Sequence, residues 1–139
     1  MPPFVAQVPM RWTDQDSYRH LNHAMAVTLL EEARIAMVFT AAADAGVGSF
    51  AGGMLVAGLS VEFRRQVRYR PEPLRTAMSV RDVRAASFTI DYAMHTGPAE
   101  DDPVAIEAQT RMALFDLDAQ RPRRLTADER AWLQGWAVS

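Results

Sequence analysis

NHAMAVTLLEEARIAMVFTAAADAG, running from Asn22 to Gly46, is the stretch that decides the fold. Asn22 makes a good helix N-cap, because its side-chain oxygen can accept from the free N–H groups of a first turn. Gly46 suits the left-handed position that closes a helix. The residues between them predict a helix of about 23 residues, or roughly 34 Å. Val27, Leu29, Leu30, Ile35, Met37, Val38 and Phe39 cannot share one narrow stripe of it. A helix apolar over so much of its circumference has to be wrapped by other elements. Glu31, Glu32 and Arg34 near its middle exclude a bilayer span, where three ionisable groups would carry a heavy penalty.

The flanking segments supply the wrapping. Upstream, Phe4, Ala6, Val8, Met10 and Trp12 alternate with Val5, Gln7, Pro9 and Arg11, the period of a strand with one covered face. Pro9 places that strand at an edge or beside a bulge. Downstream of the glycine-rich Gly46–Gly53 loop, the same period recurs through Leu59, Val61 and Phe63, through Phe88, Ile90, Tyr92 and Met94, and from Val104 to Leu114. A weaker strand lies between Leu74 and Val83, after the turn-prone Arg70-Pro71-Glu72-Pro73. Consecutive alternating segments with short turns predict an antiparallel meander, hence an α+β domain with the long helix in the concavity of a twisted sheet. Thr126-Ala127-Asp128-Glu129 has capping-box form and predicts a short C-terminal helix over about 126–135. The 139 residues fit one domain, 1–139, with neither repeat nor linker.

Composition removes several function classes. The formal charge of −2 gives no global reason to seek nucleic acid or an anionic membrane. With no cysteine there is no disulfide, thiolate metal site, iron–sulfur cluster or cysteine nucleophile. The start, MPPFVAQVPMRW, lacks the basic and continuously apolar character of a secretory signal, so the expected location is the cytoplasm. All 15 cationic side chains are arginine, fixed charges with a forked donor set suited to phosphate and carboxylate.

Chemistry concentrates in the polar run Arg11-Trp12-Thr13-Asp14-Gln15-Asp16-Ser17-Tyr18-Arg19-His20-Leu21-Asn22-His23, which holds two carboxylates, two of the three histidines and a helix start. Unsatisfied N–H groups at a helix N-terminus can donate to an oxygen that gains negative charge during reaction. A carboxylate opposite them would complete half of an acyl-transfer site, with a polarised carbonyl facing a base or nucleophile. The plainer reading of Asp16 is a carboxylate that caps backbone donors in a tight turn. His20 and His23 with Asp14 and Asp16 form an imaginable metal set, which the chain's lack of nearby further histidine does not support.

This run, followed by Leu30-Glu31-Glu32-Ala33-Arg34, resembles the signature of the hotdog-fold acyl-CoA thioesterases of the 4-hydroxybenzoyl-CoA thioesterase type, whose D-x-D-x-x-G-H-x-N-N core leads into the central helix. Glu62 to Tyr69 and Ser87-Phe88-Thr89 resemble that family's strands, so the likeness covers about residues 5–118. It implies a hotdog fold and hydrolysis of an acyl-CoA thioester to free acid and CoA, with no cofactor and no metal. Asp16 would be the general base or nucleophile and His23 a second catalytic side chain. The backbone N–H of His23 or Ala24 would bind the thioester oxygen, and Asp14, His20 and Asn22 would shape the loop. Arg84 would contact CoA phosphates; apart from the resemblance, Arg64 and Arg65 are further candidates for substrate or phosphate contact, their plainer reading being a solvent-facing strand edge with intrachain ion pairs. A second hotdog lineage takes its acid from the central helix, which makes Glu31 and Glu32 the alternative catalysts. The assembly implied is a homodimer or homotetramer with acyl-CoA as its small-molecule partner. Two positions depart from the pattern: Arg19 stands where glycine is usual, and Ala26 where tyrosine is common. The competing functions are a non-catalytic acyl-CoA-binding or regulatory hotdog protein and a hydratase or dehydratase of the same fold.

Overall fold

The computed structural model describes residues 2–138. Five strands, β1 (Phe4–Val8), β2 (Met54–Phe63), β3 (Leu74–Arg81), β4 (Ser87–His95) and β5 (Val104–Asp116), form one antiparallel sheet in the order β1-β3-β4-β5-β2. A two-residue β6 (Arg121–Pro122) adds to the end of β5. The sheet curls around the helix, which is the hotdog architecture expected. Its period of two sends Leu74, Thr76, Met78 and Val80 of β3, Phe88, Ile90, Tyr92 and Met94 of β4, and Ile106, Thr110, Met112 and Leu114 of β5 to the concave face, where all are buried. Buried apolar side chains of this size contribute about 2 kcal/mol each, so this face and the helix stripe on it dominate the stabilisation.

The meander expectation holds for β3, β4 and β5 but not for β2. Strand β2 pairs with β5, from Met54↔Leu114 to Phe63↔Ile106, and forms the edge opposite β1. Alternation specifies which face a side chain takes and leaves the neighbouring strand open. Residues 64–73 carry the chain back across to β3. At the first strand, the alternation through Met10 and Trp12 outruns the pairing: β1 ends at Val8, before Pro9, and Trp12–Asp14 is a 3-10 turn.

The long helix starts where expected. In α1 (His23–Ile35) the Asn22 side chain accepts from the N–H groups of Ala24 and Met25. It does not continue as one regular helix: Ala36–Ala41 is a π-helical segment, followed by the short α2 (Ala42–Asp44), and Gly46 closes the run at φ 89°. Within the chain the helix is covered on one face only. Ala26, Leu29, Leu30, Ala33, Arg34, Met37 and Val38 are buried, whereas Glu31 and Glu32 are exposed and Val27, Thr28 and Ile35 half-buried. Arg34 is the unexpected member: its guanidinium donates to Tyr92 Oη and Glu31, both at 3.4 Å, and Tyr92 Oη lies 2.7 Å from Thr110 Oγ1.

After α2, the chain returns to the sheet through Gly53, whose φ of 137° and close approach to the Phe115 carbonyl exclude a side chain. The C-terminal helix α3 (Ala127–Gln134) has the expected capping box at Thr126 and Glu129. Glu129 is wholly buried and holds more than the cap. Its carboxylate accepts from both terminal nitrogens of Arg123 at 2.8 Å and from Ser49 Oγ at 3.0 Å, which ties α3 to the loop beyond the central helix.

Candidate active site

The loop between β1 and α1 is built from its hydrogen bonds. Asp14 is buried, and its carboxylate accepts from the Arg11 backbone N–H at 2.8 Å and the Arg11 guanidinium at 2.9 Å. Burial pushes its carboxyl up, and the Arg11 hydrogen bonds outweigh that and hold it below its ordinary value. The Asp14 carbonyl accepts from Asn22 N–H at 2.8 Å, and Leu21 N–H donates to Val67 at 2.7 Å. Gln15 and Leu21 face each other in an antiparallel bridge, as do His20 and Arg68. Residues 15–21 are therefore a closed hairpin fixed to the helix cap on one side and to the chain leaving β2 on the other.

Asp16 sits inside that hairpin. Its N–H donates to the His20 carbonyl at 2.8 Å, and its Oδ1 accepts from the N–H groups of Tyr18 at 2.8 Å and His20 at 3.2 Å. Among the described residues Oδ2 has no hydrogen-bond partner. The carboxylate thus caps turn donors, as the plainer reading has it, and keeps one oxygen free. Asp14, His20 and Asn22 all bond within this loop. Arg19, the departure from the glycine pattern, has φ 64°. That is the left-handed region that glycine enters freely and an arginine enters at a cost of about 1 kcal/mol.

Asp16, His20, His23, Ala26, Arg64 and Arg65 line one cleft of about 460 Å³, whose apolar walls include Phe63, Val67 and Ile106. The His23 N–H has no partner among the described residues, while the Ala24 N–H donates to Asn22 Oδ1 at 2.9 Å. Of the two proposed oxyanion donors, only His23 is free. A carboxylate with one anchored and one free oxygen, sharing a cleft with an unsatisfied helix-start donor, can accept a proton or attack an electrophilic carbon while the developing oxyanion is held.

The structure separates the remaining candidates. Arg64 is engaged by Glu62 at 2.9 Å and Glu107 at 3.0 Å, whereas Arg65 forms no ion pair among the described residues. Arg84 does not reach this cleft. It lies in the β3–β4 turn and lines a depression with Arg81, Arg111 and Thr89, and Thr89 and Arg111 pair across β4 and β5 away from the Phe63 end. Glu31 is bonded to Arg34, and Glu32 borders a crevice beside β1, so neither enters the Asp16 cleft. Sequence reasoning left out Tyr18, Phe63, Val67 and Ile106 as cleft residues. Phe63 carried a signal, an aromatic ending an alternating run, but the pairing that brings it to Asp16 is non-local. Among the described residues no group of three or more histidines, aspartates or glutamates is placed to hold a metal ion, and no helix is long and apolar enough to cross a membrane.

Comparison with known proteins agrees with this fold. Residues 10–133 match the model of the thioesterase-like superfamily. No curated protein matches the chain in sequence. A Pseudomonas aeruginosa protein, PA5185, shares the fold at a TM-score of 0.83 and 17% identity, over 99% of this chain and 94% of that one. A thioesterase from Thermus thermophilus, complexed with coenzyme A and Zn, aligns at a TM-score of 0.73 and 17% identity, over 97% and 95% of the two chains. A 1,4-dihydroxy-2-naphthoyl-CoA thioesterase from Synechocystis aligns at 0.71 and 16%, over 96% and 95%. With the curled sheet, the central helix and the family match over nearly the whole chain, the protein belongs to the thioesterase-like superfamily of hotdog thioester hydrolases.

Proposed function

We propose that the protein is an acyl-CoA thioesterase that hydrolyses an acyl-CoA to free acid and CoA, with Asp16 as the general base or nucleophile. The observation that carries this is that Asp16, whose Oδ2 has no hydrogen-bond partner among the described residues, lines the same cleft as His23, whose N–H is likewise unpartnered there. In the general-base form, Oδ2 takes a proton from water as the water oxygen bonds to the thioester carbon. The oxyanion accepts from His23 N–H at the positive end of α1. The C–S bond then breaks, and the proton held on Asp16 goes to the departing thiolate. In the nucleophilic form, Oδ2 bonds to the same carbon, CoA leaves, and water opens the resulting anhydride. Both require the same carboxylate and the same donor, and neither requires a redox centre.

The Asp16 cleft fits the acyl group, since Ala26, Phe63, Val67 and Ile106 give it apolar walls. Ala26 in place of a tyrosine leaves that space open. His23 and Arg65 line the same cleft, His23 as the second catalytic side chain and Arg65 for substrate contact. Arg64, neutralised by two glutamates, is the weaker of the two adjacent arginines for that task.

The assembly proposed is a homo-oligomer built on the β2 edge. Leu55, Val56, Leu59 and Phe63 are between 46% and 53% exposed there, on a ten-residue strand whose outer backbone edge is unpaired in the single chain. An edge that long and apolar pairs with another strand or aggregates. Phe63 lies both on that edge and in the Asp16 cleft, so a second copy would complete the wall of the site. The activity test is free-thiol release from a panel of aromatic, short and long acyl-CoA thioesters. Release from at least one class is expected. CoA binding without turnover across the panel would instead identify a non-catalytic acyl-CoA-binding protein, and double-bond formation or hydration would identify a hydratase.

A further inference from the structure

Asp16 lines two clefts that share no other residue, an inner one beside β2 and an outer one beside the 3-10 turn. The inner one has the apolar walls described above. The outer one, about 630 Å³, is lined by Trp12, Thr13, Gln15, Asp16 and Arg19 and holds no aliphatic side chain. A thioester has an acyl group on one side of the reacting carbon and, on the other, a carrier arm of methyl groups, amides and a phosphate, and the outer cleft sets an indole beside polar side chains and a cation. We propose that the outer cleft binds the phosphopantetheine arm of the substrate, with Thr13 and Gln15 at its amides, Trp12 against its aliphatic part and Arg19 on its phosphate. This deepens the acyl-CoA reading above and rests on it.

Three observations support the assignment. Trp12 is 70% exposed, and its ring meets Tyr69 edge-on at 5.3 Å, so an indole face stays open to a ligand. Indole combines a large apolar surface with a polar tip, which suits an arm of methyl groups and amides. Arg19 is the second. Its guanidinium has neither an ion pair nor a hydrogen bond among the described residues, and among the cleft's side chains it is the one cation and the longest. It holds this place at φ 64°, where glycine would be less strained. The third is the position of Gln15, whose Nε2 donates to the Trp12 carbonyl at 3.1 Å and so is held at the cleft wall rather than in open solvent. Arginine is the side chain best matched to a phosphate, through paired N–H donors. Placing the phosphate on Arg19 sets it against a cation rather than against the Asp16 carboxylate.

The test is a series of thioesters of one acyl group carried on N-acetylcysteamine, pantetheine, 4′-phosphopantetheine and CoA. Adding the phosphate should raise kcat/KM in the wild type, and Arg19→Gly should cut that gain about tenfold, mainly through KM. Folding is not at risk in this variant, because φ 64° favours glycine. Trp12→Leu should cut the gain from N-acetylcysteamine to pantetheine by a similar factor. Loss of the phosphate gain in Arg65→Ala instead of Arg19→Gly would overturn the proposal, because the arm would then run through the inner cleft. A second readout separates this proposal from the activity it rests on. Free 4′-phosphopantetheine should quench the part of the tryptophan fluorescence that Trp12→Phe removes, and Arg19→Gly should weaken that quenching about tenfold. If no acyl-CoA is turned over yet the quenching and its loss appear, the arm site stands and the hydrolase reading falls. If thiol is released but neither the kinetic series nor the quenching responds to Arg19→Gly, the arm site falls and the hydrolase reading stands.

Discussion

Replacing Glu129 by alanine should be the most destabilising single change outside the apolar core, and its size follows from the partners it strands. The Glu129 carboxylate is wholly buried and accepts from Arg123 Nη1 and Nη2, Ser49 Oγ and Thr126 N–H at 2.8–3.0 Å. The Arg123 side chain is itself only 19% exposed. Removing one partner of a buried pair costs about 3–5 kcal/mol, because the other charge stays desolvated. The lost capping bond adds to this without being independent of it. A total of about 4 kcal/mol corresponds to a fall in Tm of roughly 10–15 °C for a domain of this size. The double variant Arg123→Met/Glu129→Leu should recover most of the loss, since well-packed apolar residues often replace such pairs at little cost. Burial pushes the Glu129 carboxyl up, but hydrogen bonds from Arg123, Thr126 and Ser49 hold it below its ordinary value of 4.5. A carboxyl depressed in the folded state stabilises above its unfolded pKa, and the contribution is lost as pH falls through the folded value. The stability gap between wild type and Glu129→Gln should therefore close below about pH 4.5 and be flat near neutrality. Thermal unfolding across pH, followed by circular dichroism, measures both quantities. A Glu129→Ala protein melting within about 3 °C of wild type at pH 7 would overturn this estimate and show that solvent reaches the pair.

Two further outcomes are expected. Arg19→Gly should raise stability by about 0.5 kcal/mol in denaturant titration, the left-handed strain relieved being partly offset by the freer unfolded chain; a loss of stability would mean that the arginine side chain packs against the loop. Leu59→Glu on the β2 edge should shift the protein toward monomer in sedimentation and lower turnover together with it, whereas an unchanged assembly would place the interface elsewhere.

What could be read in advance divides along local and non-local lines. Asn22, Thr126 with Glu129, and Gly46 announce their roles because capping is written within four residues, and each is found in that role. The inward faces of β3, β4 and β5 follow from alternation alone. The placement of β2 does not, because Leu59, Val61 and Phe63 carry the same alternation whichever strand lies beside them. The π-helical segment at Ala36–Ala41 is invisible for a related reason, since a run of nearly uniform apolar residues looks alike at either helical period. In the site, the pairing of Asp16 with the helix start could be inferred from seven residues of sequence. The capture of the Ala24 N–H follows from the same Asn22 cap, and it leaves His23 as the free donor. Arg84 stands apart from that cleft, because its hairpin turn lies away from the pocket that the loop and β2 create.

Whether the Asp16 carboxylate performs the chemistry or merely closes its turn is decided by kcat for free-thiol release in Asp16→Asn. The substrate should be the acyl-CoA that wild type turns over best, with Tm recorded on the same samples. Asparagine keeps a side-chain oxygen for the Tyr18 and His20 donors and removes the charge. A catalytic Asp16 predicts a kcat at least about 10²-fold lower in a protein that melts within a few degrees of wild type. A kcat within about threefold of wild type in the same folded protein would contradict that role and move the catalyst off this loop.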